Sequence, residues 1–420
     1  MNPNTMSGSR TDAFALPEGA PGAARTVFKL LQGLRHGSLT VQMPDGAMRR
    51  FGGESMPHAS LSLHNWNVCS AALKSGDIGF AETYIAGDWS TPNLPELLRV
   101  MLKNRNAIDS IVFGSWLGQL FYRIKHWTHR NTRANSQKNI HAHYDLGNAF
   151  YQLWLDGTMN YSSALFDGDL SQPLAQAQNA KVRRALEQVQ LQPGARILEI
   201  GCGWGALAEM ASTDYGAHIT GVTLSTEQLA FAQSRMQRLG VADRADLRLQ
   251  DYRDIGDAPF DAICSIEMIE AVGRQFWPTY FQTIASKLKP GGLACIQSIV
   301  IDDALFDRYI RSTDFIQQYI FPGGCLPSAR EFNVQAKAAG LEVIDAFAFG
   351  KDYAETLRRW RETFLAQRDA VLSLGFDERF IRIWEFYLAY CESAFDEGSI
   401  DVLQYTLRKP ADAAQIVQPH

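Results

Sequence analysis

The sequence predicts an α/β protein, a doubly wound and mostly parallel sheet preceded by a smaller N-terminal α+β domain. Three observations point there. From Gln192 onward, short apolar runs that read as strands alternate with amphipathic helical stretches, the pattern of a parallel sheet covered on both faces. A glycine-rich loop follows the first of those strands and opens a helix. The chain has 420 residues, room for two or three domains at roughly 150 residues each. The pattern divides it into a flexible N-terminus over 1–25, a small α+β domain over 26–125 and a larger α/β domain over 126–420.

Taken in order, the first 25 residues are rich in Gly, Pro, Ser, Ala and Thr and lack the basic start and long apolar core of a secretory signal. FKLLQGLRHG then reads as a helix, and SLTVQMPDGAMRRF as a hairpin turning at Pro44-Asp45-Gly46. Leu61 to Leu102 continues as mixed strand and helix. Between Lys103 and Lys138 seven cations face one acid, Asp109, with Trp116, Phe121, Tyr122 and Trp127 among them. Such a segment suits either the headgroup region of an anionic membrane or a linker packed on the catalytic core with its charges in water. Its longest uncharged apolar stretch, Ser110 to Tyr122, would reach only about 20 Å as a helix, short of a bilayer core of about 30 Å.

In the catalytic region ARILEIG, HITGVTLS, ADLRLQD, FDAICSIE and GGLACIQSIVI are expected strands, with ALAEMAS and TEQLAFAQSRMQRLG as helices between them. The tail, Asp352 to Lys409, shows two aromatic-rich helices, YAETLRRWRETFLAQRDAVL and FIRIWEFYLAYCESAF. Composition excludes several classes. With 40 Lys and Arg against 45 Asp and Glu, the net charge of −5 argues against a nucleic-acid binder. A chain 46% hydrophobic and 20% charged has ample material for a core and is not disordered throughout. Its six cysteines show neither a CxxC pair nor a disulfide rhythm, which suits reduced thiols in the cytoplasm.

The loop Glu199-Ile-Gly201-Cys-Gly203-Trp-Gly205 carries the most information. Glycines allow a sharp turn and close approach of backbone to a ligand. The third glycine comes one residue too early for a dinucleotide loop, and the preceding Glu199 would repel a pyrophosphate but hold a cation. S-adenosylmethionine (SAM), with a cationic amino group and sulfonium, fits. The ends of the next two strands serve the rest of that ligand. Thr223 and Gln228 are placed to bond ribose hydroxyls, and Gln250-Asp251-Tyr252-Arg253 lies at the adenine, with Asp251 accepting from its amino group and Tyr252 offering a ring face. Taken singly, Asp251 could also be a helix cap and Tyr252 a core ring, and the agreement of the three loops weighs toward the ligand.

Together these residues resemble the cyclopropane-fatty-acyl-phospholipid synthase family of SAM-dependent enzymes. The resemblance covers Lys138 to Arg408 and rests on HYDLGNAFYQLWLD (His143 to Asp156), MNYSSALF, LEIGCGWG, GVTLSTEQ, LQDYRD, EMIEAVG, YIFPGGCLPS (Tyr319 to Ser328) and FGKDYAETLRRW. It implies SAM held by Tyr161, Ser162, Gly201, Thr223, Gln228, Tyr252 and Arg253, to which the glycine loop adds Glu199 and Gly203. It also implies an acyl channel beside the methyl donor, with YIFPGGCLPS near it. His143, Tyr144 and Asp145 would form part of a lid over SAM; the pair His141 and His143 has no partners at zinc-like spacing, so no metal is expected.

The chemistry so implied is attack of an alkene on the sulfonium methyl, a carbocation on the neighbouring chain carbon, and ring closure as a base removes a proton. An apolar channel protects the cation from water and aromatic faces stabilise it; Trp360, Phe364, Trp384, Phe386, Tyr387 and Tyr390 are candidates for that lining, or for ordinary helix packing. Family members are similar in using a bound bicarbonate as the base. Glu270, Tyr353 and Ile299 match its binding set, whereas the Cys and His positions are Ser163 and Gln297. Gln297 bonds an anion but does not titrate. The expected outcome is a cyclopropane ring; the alternative, opened by Ser163 and Gln297, is C-methylation without closure that leaves a methyl-branched or methylene-bearing chain. A scaffold derived from a methyltransferase is the alternative outside enzymes, and retention of the SAM residues argues against it. The expected partner is the acyl chain of a membrane phospholipid, met by a cytoplasmic protein peripherally associated with the inner face of the membrane; two-domain members suggest a homodimer.

Overall fold

The structure, a computed structural model, describes residues 17–108 and 146–411. Most of the basic segment and the residues His141, His143, Tyr144 and Asp145 lie outside the described residues, so the lid and the membrane contact expected there are not addressed by the fold.

The N-terminal region forms a four-stranded sheet in the order β2-β1-β3-β4, with β1 at Ser38–Gln42, β2 at Met48–Gly52, β3 at His58–Leu63 and β4 at Trp89–Ser90. The expected hairpin is β1–β2: Gly46 takes φ +87, a conformation that suits glycine, and the Ala47 N–H donates to Asp45 Oδ1 at 3.0 Å. Apolar residues alternate inward along β1, where Leu39 and Val41 are fully buried. They share one core with Phe28 of the helix Gly22–Leu31, whose ring lies edge-on to Phe51 at 5.6 Å.

The second sheet has seven strands in the order β10-β11-β9-β8-β5-β6-β7. β5 (Arg196–Ile200), β6 (His218–Thr223), β7 (Ala245–Leu249), β8 (Phe260–Ile266) and β9 (Leu288–Ile301) run parallel. These are the expected strands, and their near-continuous apolar runs (Ile197, Leu198, Ile200; Ala262, Ile263, Cys264) are buried because helices cover both faces. The sheet departs from expectation at the tail. β10 (Glu342–Ala348) and β11 (Ile400–Arg408) add an antiparallel edge, with β11 inserted between β9 and β10. The first tail helix also divides, into Gly350–Ala366 and Arg368–Ser373, before Glu378–Asp396.

The sheet order places β6 and β8 on opposite sides of β5. This is the topological switch point, where crevices open at the carboxyl ends of the strands. The last long helix packs on the N-terminal region: Tyr84 Oη donates to Glu385 Oε2 at 2.7 Å, and Ser393 Oγ to the Pro95 carbonyl at 2.9 Å. One apolar core runs from Phe28, Leu39 and Trp89 through Phe150 and Trp154 to Trp360, Trp384 and Phe386. The four aromatic residues Trp360, Phe364, Trp384 and Phe386, considered as channel lining, belong to this core: Trp154 meets Trp360 at 5.6 Å and Phe150 meets Trp384 at 5.1 Å.

Candidate active site

A cleft of about 1190 Å³ opens at the switch point, and all ten residues expected to hold SAM line it. Glu199, Gly201, Gly203, Thr223, Asp251, Tyr252 and Arg253 come from strand ends and the turns after them, whereas Tyr161 and Ser162 come from the segment between the helices Asn148–Gln152 and Leu174–Gln188, and Gln228 from the first turn of the helix Thr226–Arg238. Gly201 follows β5 with φ +86, and a Cβ there would lie 2.8 Å from Met268 Cγ, so no other residue fits. Gly203 also takes a positive φ, +50, but a Cβ would meet nothing within 4 Å, leaving backbone open to a ligand. Glu199 lies under the loop at 3% exposure, and its Oε2 has no hydrogen-bond partner. Burial pushes its carboxyl well up, against the pull of Lys181 and Arg235. A buried carboxylate oxygen awaiting a donor, beside exposed loop backbone, fits the cationic end of SAM.

At the other end, Thr223 Oγ1 donates to Gln228 Oε1 at 3.0 Å. Asp251 is engaged by the chain itself: Oδ1 accepts from Arg253 N at 3.0 Å and Nε at 2.8 Å, and Oδ2 pairs with Nη2 at 2.5 Å. It thus caps the short turn Tyr252–Asp254 as well as facing the cleft. The Tyr252 ring lines the cleft while its hydroxyl is buried without a partner. Ser162 accepts a hydrogen bond from Lys181, a fully buried lysine whose ammonium is pushed down to about 8 by burial, against the attraction of Glu267, Asp156 and Glu199.

A larger, mainly apolar cavity of about 1920 Å³ adjoins this cleft. Ile299, Ile316, Leu357 and Phe395 line it, with Tyr387 and Tyr390 the two of the six aromatic candidates that reach it. From the segment YIFPGGCLPS, Phe321, Pro322, Gly324, Cys325 and Leu326 line it too, held by the Cys325 N–H on the Glu270 carbonyl at 2.8 Å. Tyr161, Glu267 and Ala271 line both spaces, so the two meet there.

Around that junction the structure rearranges the expected anion-binding set. Ser163, Gln297 and Tyr353 converge on a side chain the sequence reading passed over, Glu267. Its Oε1 accepts from the Ser163 N–H at 2.9 Å and from Gln297 Nε2 at 2.7 Å, and its Oε2 accepts from Tyr353 Oη at 2.6 Å. The Ser163 hydroxyl turns away to the Ala164 carbonyl at 2.9 Å. The Gln297 amide has one orientation available, because its Oε1 accepts from Gln404 Nε2 at 3.0 Å while Arg184 holds Gln404 Oε1 at 2.7 Å. The other two expected residues pair with each other: the Ile299 N–H donates to Glu270 Oε1 at 2.5 Å. Burial, then Glu267, pushes Glu270 up to about 8, so it is a neutral acid at neutral pH. A free bicarbonate does not fit this arrangement, since Gln297 Nε2 and Tyr353 Oη are already spent on Glu267, the Ile299 N–H on Glu270, and the Ser163 hydroxyl on a carbonyl. Glu267 could have been suspected from its place in EMIEAVG, one turn before Glu270, but no spacing rule distinguishes it from a surface acid.

Residues 131–405 match the family model "Mycolic acid cyclopropane synthetase". The chain belongs to this family. It is 40% identical to tuberculostearic acid methyltransferase UfaA1 of Mycobacterium tuberculosis over 366 residues, 84% of either chain. It is 33% identical to the cyclopropane-fatty-acyl-phospholipid synthase of Escherichia coli K12 over 383 residues, 87% of this chain and 94% of that one. Among solved structures it is similar to mycolic acid cyclopropane synthase CmaA1 complexed with SAH and CTAB, with a TM-score of 0.61 and 32% identity over 65% of this chain and 98% of that one. This mycolic acid cyclopropane synthetase family member is a SAM-dependent methyltransferase with the fold of such enzymes. Among its described residues no group of His, Cys, Asp and Glu could hold a metal ion, and no helix is long and apolar enough to cross a membrane.

Proposed function

We propose that the protein transfers the methyl group of SAM to the double bond of an unsaturated fatty acyl chain carried by a membrane phospholipid. The observation that carries this reading is the meeting of the SAM cleft and the apolar cavity at Tyr161, Glu267 and Ala271. When bound, SAM supplies an electrophilic methyl group. The protein's own residues do the rest. Glu199 and the glycine loop hold the donor's cationic end, Thr223, Gln228, Asp251, Tyr252 and Arg253 surround its nucleoside, and the cavity lined by Ile299, Ile316 and Leu357 excludes water from a cationic acyl chain. The rings of Tyr387 and Tyr390 lie along that cavity, where a carbocation gains from aromatic faces.

The favoured product is a methyl-branched or methylene-bearing chain without a ring. Two observations support it: Gln297 and Tyr353, expected to donate to a free anion, close on Glu267, and the relative sharing 40% identity over 84% of its length is named a methyltransferase. Ring closure is the second reading, supported by the Escherichia coli synthase, matched over 94% of its length. Mass spectrometry of unsaturated phospholipid vesicles incubated with protein and SAM separates them. Both products gain one CH2; the acyclic product keeps a double bond that ozonolysis cleaves, and the cyclopropane does not. Absence of any mass gain on a panel of unsaturated lipids would remove the acyl-chain reading.

A further inference from the structure

We propose that Glu267 is the proton-accepting base of this enzyme, a carboxylate built into the chain in the place where a free bicarbonate was expected. The inference rests on the methyl-transfer reading given above and goes beyond it by assigning the base. A carboxylate offers about four lone-pair positions. Three are taken by the Ser163 N–H, Gln297 Nε2 and Tyr353 Oη, which leaves one on Oε2. The same side chain lines both the SAM cleft and the apolar cavity, where the reacting carbon atoms must lie. Its backbone is held at φ +49, unusual for any residue but glycine, by its N–H on the Gln297 carbonyl at 2.9 Å. Such strain persists where surrounding structure over-determines it, and it gathers at functional sites. Burial raises the Glu267 carboxyl, and Lys181, Tyr353, Ser163 and Gln297 together pull it back toward the ionised form. A second anion in the same cage would face a like charge at contact distance, so carboxylate and bicarbonate exclude each other.

The step balances without another reagent. The alkene electron pair forms the new C–C bond as the S–CH3 bond breaks with its pair staying on sulfur, and the neighbouring chain carbon becomes cationic. A C–H bond then breaks, either on a chain carbon beside that cation or on the transferred methyl group. Its electron pair forms either a new C=C bond or the closing ring bond, and the proton goes to Glu267 Oε2, which returns it to water when product leaves.

The test compares the native enzyme with Glu267→Gln and Glu267→Gly in buffer freed of carbon dioxide, with and without added ¹³C-bicarbonate. Glu267→Gln preserves shape, and glycine suits φ +49, so both should fold; melting curves and SAH affinity check this. On unsaturated phospholipid vesicles the native enzyme should release SAH at the same rate with or without bicarbonate, and Glu267→Gln should lose about 10²–10⁴-fold. Glu267→Gly empties the cage, so it should show a bound ¹³C-bicarbonate resonance absent from the native protein and recover turnover when bicarbonate is added. Native turnover that falls on removal of bicarbonate, or Glu267→Gln within tenfold of native, overturns the proposal. If the native enzyme binds SAH but methylates no lipid, the methyl-transfer reading fails separately. The resonance still decides then: bicarbonate bound to the native protein overturns a filled cage, and bicarbonate bound only to Glu267→Gly supports it.

Discussion

Glu199 in the cleft and Glu270 in the adjoining apolar cavity are both acidic residues withdrawn from water, yet their surroundings assign them different work. Glu199 has Lys181 and Arg235 near it and one oxygen without a partner, so it is placed to become an anion when a cation arrives. A hydrogen bond to a charged group contributes about 1.5–3 kcal/mol. Glu199→Gln should therefore weaken SAM binding about 10- to 100-fold by calorimetry, with unchanged folding. Glu270 is buried and faces the charge of Glu267, and these outweigh its hydrogen bonds, the Ile299 N–H on Oε1 among them, so its carboxyl rises from 4.5 to about 8. The folded state then holds a proton that the unfolded chain has lost, and stability falls as pH rises from about 4.5 through about 8. Asp77 and Asp314, raised by burial, push in the same direction. Melting temperature measured across that window should decline, and Glu270→Gln should flatten part of the decline; an unchanged slope would show that Glu270 is ionised in the folded protein.

Helices and strands account for most differences between expectation and structure. The aromatic helices over 350–396 carry large rings on several faces, so periodicity alone leaves open which rings face a cavity and which face a core. Packing decides it: Tyr387 and Tyr390 line the cavity, while Trp360 and Phe364 are fully buried among other rings. Trp360→Ala should cost about 3–5 kcal/mol of stability in denaturant unfolding and leave the distribution of lipid products as it is. A changed product ratio at native stability would return Trp360 to the channel. β10 and β11 escaped notice for a related reason. The β10 residues show little burial contrast, and β11 becomes a strand because its backbone pairs with β9 and β10 on either side. Its insertion matters for the site, since it carries Gln404 to the amide of Gln297.

Across the whole molecule, the N-terminal sheet and the C-terminal helices share one core, which joins the small region firmly to the catalytic one. Arg99 and Lys103 add ion pairs to Glu397 at 2.9 and 3.4 Å on that seam. The basic segment that begins at Lys103 therefore starts beside the end of the last long helix, and the apolar cavity is lined in part by Leu102 and Arg105. A substrate embedded in a bilayer requires approach to its surface, and a net charge of −5 would oppose this without a local excess of cations. Binding to anionic vesicles should weaken as salt rises through physiological strength, as sedimentation would show. Equal binding at low and high salt would exclude an electrostatic contact.

By itself the sequence determined the parallel sheet and the glycine loop, and it named ten of the residues that line the cleft. The sheet, the loop and the residues at the strand ends follow from local rules: strand and helix periodicity, glycine at positive φ, and ligands at the carboxyl ends of parallel strands. Tyr161 and Ser162 followed instead from the family resemblance. Only the tertiary structure decided what the anion-binding residues hold. Ser163, Gln297 and Tyr353 arrive from three separate parts of the chain, and the direction of the Gln297 amide depends on Gln404 and Arg184 beyond it. The direction of Glu267 depends on a strained backbone at the end of β8. Residue types and spacing carry no information about such orientations, because they are set by contacts between segments distant in sequence.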